Sequence, residues 1–162
     1  MKKSPTIRKT DRLDDSESEW LRTMWNAEFP ERLQHPDALS LKRYLDGLTN
    51  TVHYIAYAKN GAAAGWLTTF DRDGGRWFAM ILGRAHQRLG IGTELLARAK
   101  TETRGVLSGW VVDGNHMARA DGTPYPSPVD FYERNGFRRL VDERLELPHL
   151  SAVRIVWSRD GE

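Results

Sequence analysis

Residues 76–113 run strand, glycine-headed turn, helix, strand, and no other segment restricts the possible folds as much. "RWFAMIL" (76–82) is a short apolar strand, and "QRLGIGTELLARAKTETRG" (87–105) sets Ile91, Leu95, Leu96 and Ala99 on one helical face before Gly105. "VLSGWVVD" (106–113) then reads as a strand again. Two strands joined through a helix enter one sheet in parallel, by a right-handed crossover. The residues before this unit predict the opposite arrangement. "TVHYIAYAK" (51–59) alternates Val52, Tyr54, Ala56 and Ala58 against His53, Ile55 and Tyr57, and Asn60-Gly61 is a hairpin turn signal. "AAAGWLTTF" (62–70) pairs back, and "DRDGG" (71–75) turns into the strand at 76. A meander feeding one parallel crossover gives a mixed α/β sheet, largely antiparallel, with helices on its faces.

The flanks complete the outline. "TIRKT" (6–10) reads as a strand, and "DDSESEWLRTMWNAEF" (14–29) as a helix with Trp20, Leu21, Met24, Trp25 and Phe29 along one face. "HPDALSLKRYLDGL" (35–48) predicts a second helix that packs through Leu39, Leu41, Tyr44, Leu45 and Leu48. After an irregular stretch at 114–127, Ser127 is expected as the N-cap of a two-turn helix with Pro128 at its first position and Gly136 as its stop. Residues 137–147 and 151–158 read as a final strand pair. The sum is about seven strands and four helices, expected to form a single domain over 1–162.

Composition narrows the function classes. The chain has no cysteine, which excludes disulfides, thiolate metal sites and a cysteine nucleophile. Its five histidines show no metal-ligand spacing, so no metal is expected. No apolar run is long enough to span a membrane, and the basic first ten residues lack the apolar stretch of a secretory signal, so the expected compartment is the cytoplasm. A net charge of +2 gives no reason to expect nucleic acid, although 18 of the 24 cationic residues are arginine, a side chain suited to anionic oxygens.

The glycine turn carries the chemistry. In "QRLGIG" a strand runs into a helix start, where backbone N–H groups lack intrahelical partners and the helix dipole is positive. Glycine at 90 and 92 removes side chains that would hold a bulky anion away, so a phosphate-bearing ligand is expected. The segment lacks the lysine of a nucleoside-triphosphate loop and the third glycine of a dinucleotide fingerprint.

"QRLGIG" resembles the Gln/Arg-x-x-Gly-x-Gly/Ala signature of the GNAT superfamily of N-acetyltransferases. "FYERNGF" (131–137) resembles the family's second motif, an aromatic-Tyr-x-x-x-Gly-Phe helix and turn. The element order agrees from residue 6 onward. The resemblance implies a GNAT-type fold and acetyl-CoA as cosubstrate, with an amine as acceptor. Its pyrophosphate would rest on Gln87, Arg88, Leu89, Gly90, Ile91 and Gly92, with Thr93 adding a hydroxyl and Arg134 a nearby cation. The backbone of Met80, Ile81 and Leu82 would pair with the pantetheine arm as an added strand would. Tyr132 would be the general acid toward the departing CoA sulfur, acting through a hydrogen bond or coupled transfer because a phenol near 10 is a weaker acid than a thiol.

Other positions depart from the family pattern. The family often places a glutamate on the fourth strand, but "RWFAMIL" holds no acid, so Glu28, Asp113 and His116 are the candidate bases. Tyr125 stands where many members have a cofactor-binding asparagine. Trp25, Phe29, Trp66 and Trp110 are candidate walls of an aromatic cleft. The leading expectation is direct transfer to a primary amine of a small molecule. The alternatives are a protein N-terminus, a lysine, an aminoacyl-tRNA, or a non-catalytic CoA-binding module. A homodimer is compatible with the resemblance.

Overall fold

The computed structural model describes residues 6–29, 35–83, 90–114, 118–119, 121–148 and 150–159. The chain runs β1 (Thr6–Thr10), α1 (Asp15–Glu28), α2 (Ala38–Asp46), β2 (Thr49–Tyr57), β3 (Ala63–Arg72) and β4 (Gly75–Leu82). It continues through α3 (Ile91–Glu102), β5 (Val106–Val112), α4 (Val129–Arg134), β6 (Arg138–Leu147) and β7 (Leu150–Ser158). One seven-stranded sheet has the order β1-β2-β3-β4-β5-β7-β6, antiparallel throughout except where β4 meets β5. The expected mixed sheet with one parallel crossover is therefore present. No described helix is long and apolar enough to cross a membrane.

Both faces of the sheet are covered, which explains why β2 alternates two apolar sets rather than apolar and polar ones. Tyr54 and Ala56 pack under α3 with Leu67, Leu95 and Leu107, while Ile55 packs on the other face with Leu21, Trp25, Leu41 and Trp66. Helix α1 starts in a capping box. Asp14 accepts from the Glu17 N–H at 2.7 Å, and the Glu17 side chain accepts from the Asp14 N–H at 2.9 Å. In α2, Leu41, Tyr44 and Leu45 share a face. Leu39 lies roughly opposite on the helical wheel and is 51% exposed, contrary to its expected packing.

The fully buried indole of Trp66 donates from Nε1 to His53 Nδ1 at 3.1 Å, which requires a neutral His53 ring. Burial pushes the His53 pKa down to about 4, and only a weaker interaction with Asp11 opposes the shift. Above about pH 6.5 the ring is neutral in both native and unfolded chains. Between that value and about 4 only the unfolded chain takes up a proton, so acidification removes stability. From about pH 7.5 to about pH 5, urea unfolding of the protein should lose ~2 kcal/mol more than the same measurement on His53→Asn, whose amide oxygen still accepts from Trp66. Equal losses would show that His53 is not held neutral.

Candidate active site

The parallel pairing of β4 and β5 is brief. Arg76 faces Leu107 and Trp77 faces Ser108, and then the two strands diverge. Phe78 occupies the point of divergence. A Cβ on Gly109 would lie 2.7 Å from its ring, so the glycine is what lets this ring lie over β5 on the face that packs under α3. The Phe78 ring is held in turn by Phe137 at 5.3 Å and Tyr132 at 5.6 Å between centroids. Beyond Trp77, β4 keeps its ladder with β3, and no described strand pairs along its other edge.

The opening is a cleft of about 570 Å3. At one end it is bounded by the start of α3, where Gly90, Gly92 and Thr93 lie near Arg134 of α4. The middle is walled by Met80, Ile81 and Leu82 and by Tyr132, and the far end by Trp25, Glu28, Phe29, Trp77, Trp110 and Tyr125. The two glycines of the turn act differently. Gly90 has φ +81° and open space around an added Cβ, as a left-handed cap facing a ligand requires. At Gly92 a Cβ would meet Phe131 at 2.9 Å and Leu82 at 3.0 Å, so this position also serves the close packing of α3 on β4 and α4. Gln87, Arg88 and Leu89 lie outside the described residues, as does His116. Ile91 turns its side chain into the core and offers the site only its backbone.

Helix α4 positions Tyr132. Gly136, at φ +89°, ends the helix in a Schellman motif: Phe137 N–H donates to the Tyr132 carbonyl at 3.1 Å and Gly136 N–H to the Glu133 carbonyl at 3.1 Å. That turn folds Phe137 back onto the Tyr132 ring at 5.6 Å, which accounts for the spacing of "FYERNGF". The start of the helix differs from expectation by one residue. Pro128 is the N-cap, while Ser127 Oγ accepts from Val129 N–H at 3.3 Å and donates to the Val112 carbonyl at 2.7 Å, pinning the loop to β5. Tyr132 is 5% exposed, and its hydroxyl has no hydrogen-bond partner among the described residues. Burial raises its pKa far above the usual phenol value, and Tyr125 adds to the shift, so it is a protonated donor at neutral pH. Tyr125 is likewise pushed up, to about 12, chiefly by burial.

The candidate bases separate clearly. Glu28 follows Leu21, Met24 and Trp25 at helical spacing on the buried face of α1, and is itself only 6% exposed at the cleft wall. Asp113 instead accepts two hydrogen bonds from Arg144, at 2.9 and 3.0 Å, which hold its pKa below the usual carboxylate range; it does not line the cleft. Of the expected aromatic walls, Trp25, Phe29 and Trp110 line the cleft, whereas Trp66 is buried away from it. Sequence reasoning missed Arg72 and Arg119 in the lining, one hidden at a strand end and the other in an irregular loop.

Residues 49–139 match the family model described as an acetyltransferase (GNAT) domain. Among solved structures, an aminoglycoside 6'-N-acetyltransferase complexed with coenzyme A aligns with TM-score 0.71 at 13% identity, over 94% of this chain and 96% of that one. A spermidine/spermine N-acetyltransferase from Vibrio cholerae aligns with TM-score 0.62 at 15% identity, over 96% and 92%. An acyl-CoA N-acyltransferase from Pseudomonas aeruginosa aligns with TM-score 0.62 at 18% identity, over 95% and 99%. These likenesses show the fold. No curated protein sequence matches the chain.

The packing at Gly109 makes a direct prediction. Gly109→Ala drives a methyl into Phe78, whose ring is already confined by Tyr132 and Phe137, and should cost about 1–3 kcal/mol in denaturant unfolding. Adding Phe78→Leu should recover part of that loss. A Gly109→Ala protein as stable as the parent would show that the Phe78 ring is not tightly packed over Gly109.

Proposed function

The chain belongs to the GNAT acetyltransferase family, and on that premise we propose that it moves an acetyl group from acetyl-CoA directly to the primary amine of a small molecule. The observation that carries this reading is one cleft that joins the glycine-headed start of α3, the edge of β4 that no described strand pairs, Tyr132 and the buried Glu28. Its residues suit the cosubstrate: an open left-handed glycine and a helix start for phosphates, Arg134 in the same lining, and a strand edge that no described strand pairs beyond Trp77 for an amide-bearing arm. Acetyl-CoA would supply an activated acetyl group whose carbonyl a backbone N–H of β4 can polarise.

The remaining steps belong to this chain's side chains. Glu28 accepts the proton that the amine must lose, directly or through water, as the nitrogen forms its bond to the acetyl carbon. Tyr132 donates a hydrogen bond to the sulfur as the carbon–sulfur bond breaks. With its pKa raised, it stabilises a leaving thiolate rather than handing over a proton. Without cysteine there is no thiol to carry the acetyl group, so direct attack is the simplest route. Aromatic walls around the acceptor end of a cleft of about 570 Å3 favour a small acceptor over a protein terminus, lysine or aminoacyl-tRNA. The likeness to enzymes named for aminoglycosides and spermidine supports an amine acceptor without selecting one.

Acetyl-CoA should bind by calorimetry, and free thiol should appear when a suitable amine is added. Glu28→Gln should lower kcat by about 10²- to 10⁴-fold while acetyl-CoA still binds. Tyr132→Phe should also lower kcat with acetyl-CoA affinity little changed. Full turnover in either variant would remove the role assigned to it, and failure to bind either CoA or acetyl-CoA would overturn the proposal.

A further inference from the structure

The charges in the acceptor end of the cleft limit what the amine can be attached to. Elsewhere in the fold, partly buried arginines face acids: Arg76 pairs with Asp71 at 3.0 Å, Arg144 with Asp113 at 2.9 Å, and Arg154 with Glu143 at 2.8 Å. The two arginines of the acceptor end do not. Arg72 has its guanidinium 4.9 Å from the centroid of Phe70 and 5.6 Å from that of Trp77, and no described carboxylate pairs with it. Both rings are almost fully buried, so the guanidinium rests against fixed surfaces at the cleft wall with its fork of N–H groups unused by any acid. Arg119 donates to the Pro124 carbonyl at 3.2 Å, yet its Nε is buried with no partner among the described residues. A buried donor left unmade is costly, and an anionic oxygen would relieve it. Arg119 and Glu28 both act electrostatically on Tyr125, which places one cation and one carboxylate around the same phenol.

Resting on the acetyltransferase reading, we infer that the acceptor is a primary amine that also carries an anionic oxyacid group on an aromatic or otherwise apolar body. Glu28 takes the amine end, Arg72 and Arg119 take the oxyacid, and the rings of Trp77, Trp110 and Tyr125 enclose the body. Two guanidiniums against one carboxylate repel a polycation, because a second ammonium would meet a like charge in a partly desolvated cleft. Carboxylate and phosphonate share the bidentate geometry that a guanidinium fork recognises.

The test measures free thiol with acetyl-CoA and a matched series of acceptors: para-aminomethylbenzoate, para-aminomethylphenylphosphonate, benzylamine, para-xylylenediamine, and the pair L-phenylalanine and phenethylamine. Spermidine completes the set. In at least one anionic–neutral pair, the anionic member should have kcat/KM at least about tenfold above its neutral parent, with para-xylylenediamine and spermidine poorest. The carboxylate and phosphonate arms show which oxyacid is preferred. In Arg72→Met the anionic-to-neutral ratio should shrink toward one through a raised KM, and Arg72→Lys should restore it only in part. The ratio in the parent protein decides the matter even if the variants fold poorly. Thiol release that is no faster with any anionic member than with its neutral parent, or fastest with a diamine or spermidine, overturns this inference and leaves the acetyltransferase reading standing. No release with any amine together with no CoA binding overturns both.

Discussion

The structure depends on the divergence of two parallel strands. Strands β4 and β5 hold register for two residue pairs and then part, and just beyond the last pair the Phe78 ring lies over β5 where Gly109 has no side chain. In an uninterrupted sheet, hydrogen bonds between β4 and β5 would close this space. The divergence exposes one edge of β4 and opens the centre of the sheet to a ligand. It also lets α3 and α4 converge on the same opening from the side. The Schellman turn at Gly136 holds Tyr132 and Phe137 against the Phe78 ring, so the tyrosine at the cleft wall is seated where the two strands part.

Burial then sets the electrostatic character of the opening. Tyr132 and Tyr125 are both pushed toward their neutral forms, which leaves hydrogen-bond donors where a developing negative charge would be stabilised. Glu28 brings a carboxylate into the same enclosed space from the opposite layer of the fold, at the end of the helix that packs on Trp66 and Ile81. Donor and acceptor thus reach the cleft from elements far apart in sequence, held by separate apolar clusters on the two faces of the sheet. That separation lets the acceptor end vary its residues without disturbing the start of α3.

The fold was legible because its signals are periodic and local: the double alternation of β2, the Asn60-Gly61 turn, and the glycine-headed helix between two strands. Tyr132 was legible because "FYERNGF" couples the tyrosine to the glycine that ends its helix. The acceptor end was harder to read. Glu28 falls on a buried stripe visible in the sequence, but nothing there tells a carboxylate at a cleft wall from one in a surface ion pair, where Asp113 lies, partly exposed beside Arg144. Arg72 reads as part of a turn because it adjoins "DGG", and only the ladder with Gly75 shows that it ends a strand beside Phe70 and Trp77. Gly92 carries a second requirement that the motif does not show, since a Cβ there would also meet Phe131 and Leu82. Tertiary proximity decides these cases, and residue spacing along the chain does not carry it.

The account turns on where the cosubstrate's sulfur lies, and a crystal structure of the protein with bound CoA measures that directly. The account predicts the pantetheine arm along the open edge of β4 at Met80, Ile81 and Leu82, with the sulfur within hydrogen-bond reach of the Tyr132 hydroxyl and on the side of the cleft that faces Glu28. Coenzyme A bound with its sulfur outside the β4–β5 opening, or with Tyr132 turned away from it, would contradict it.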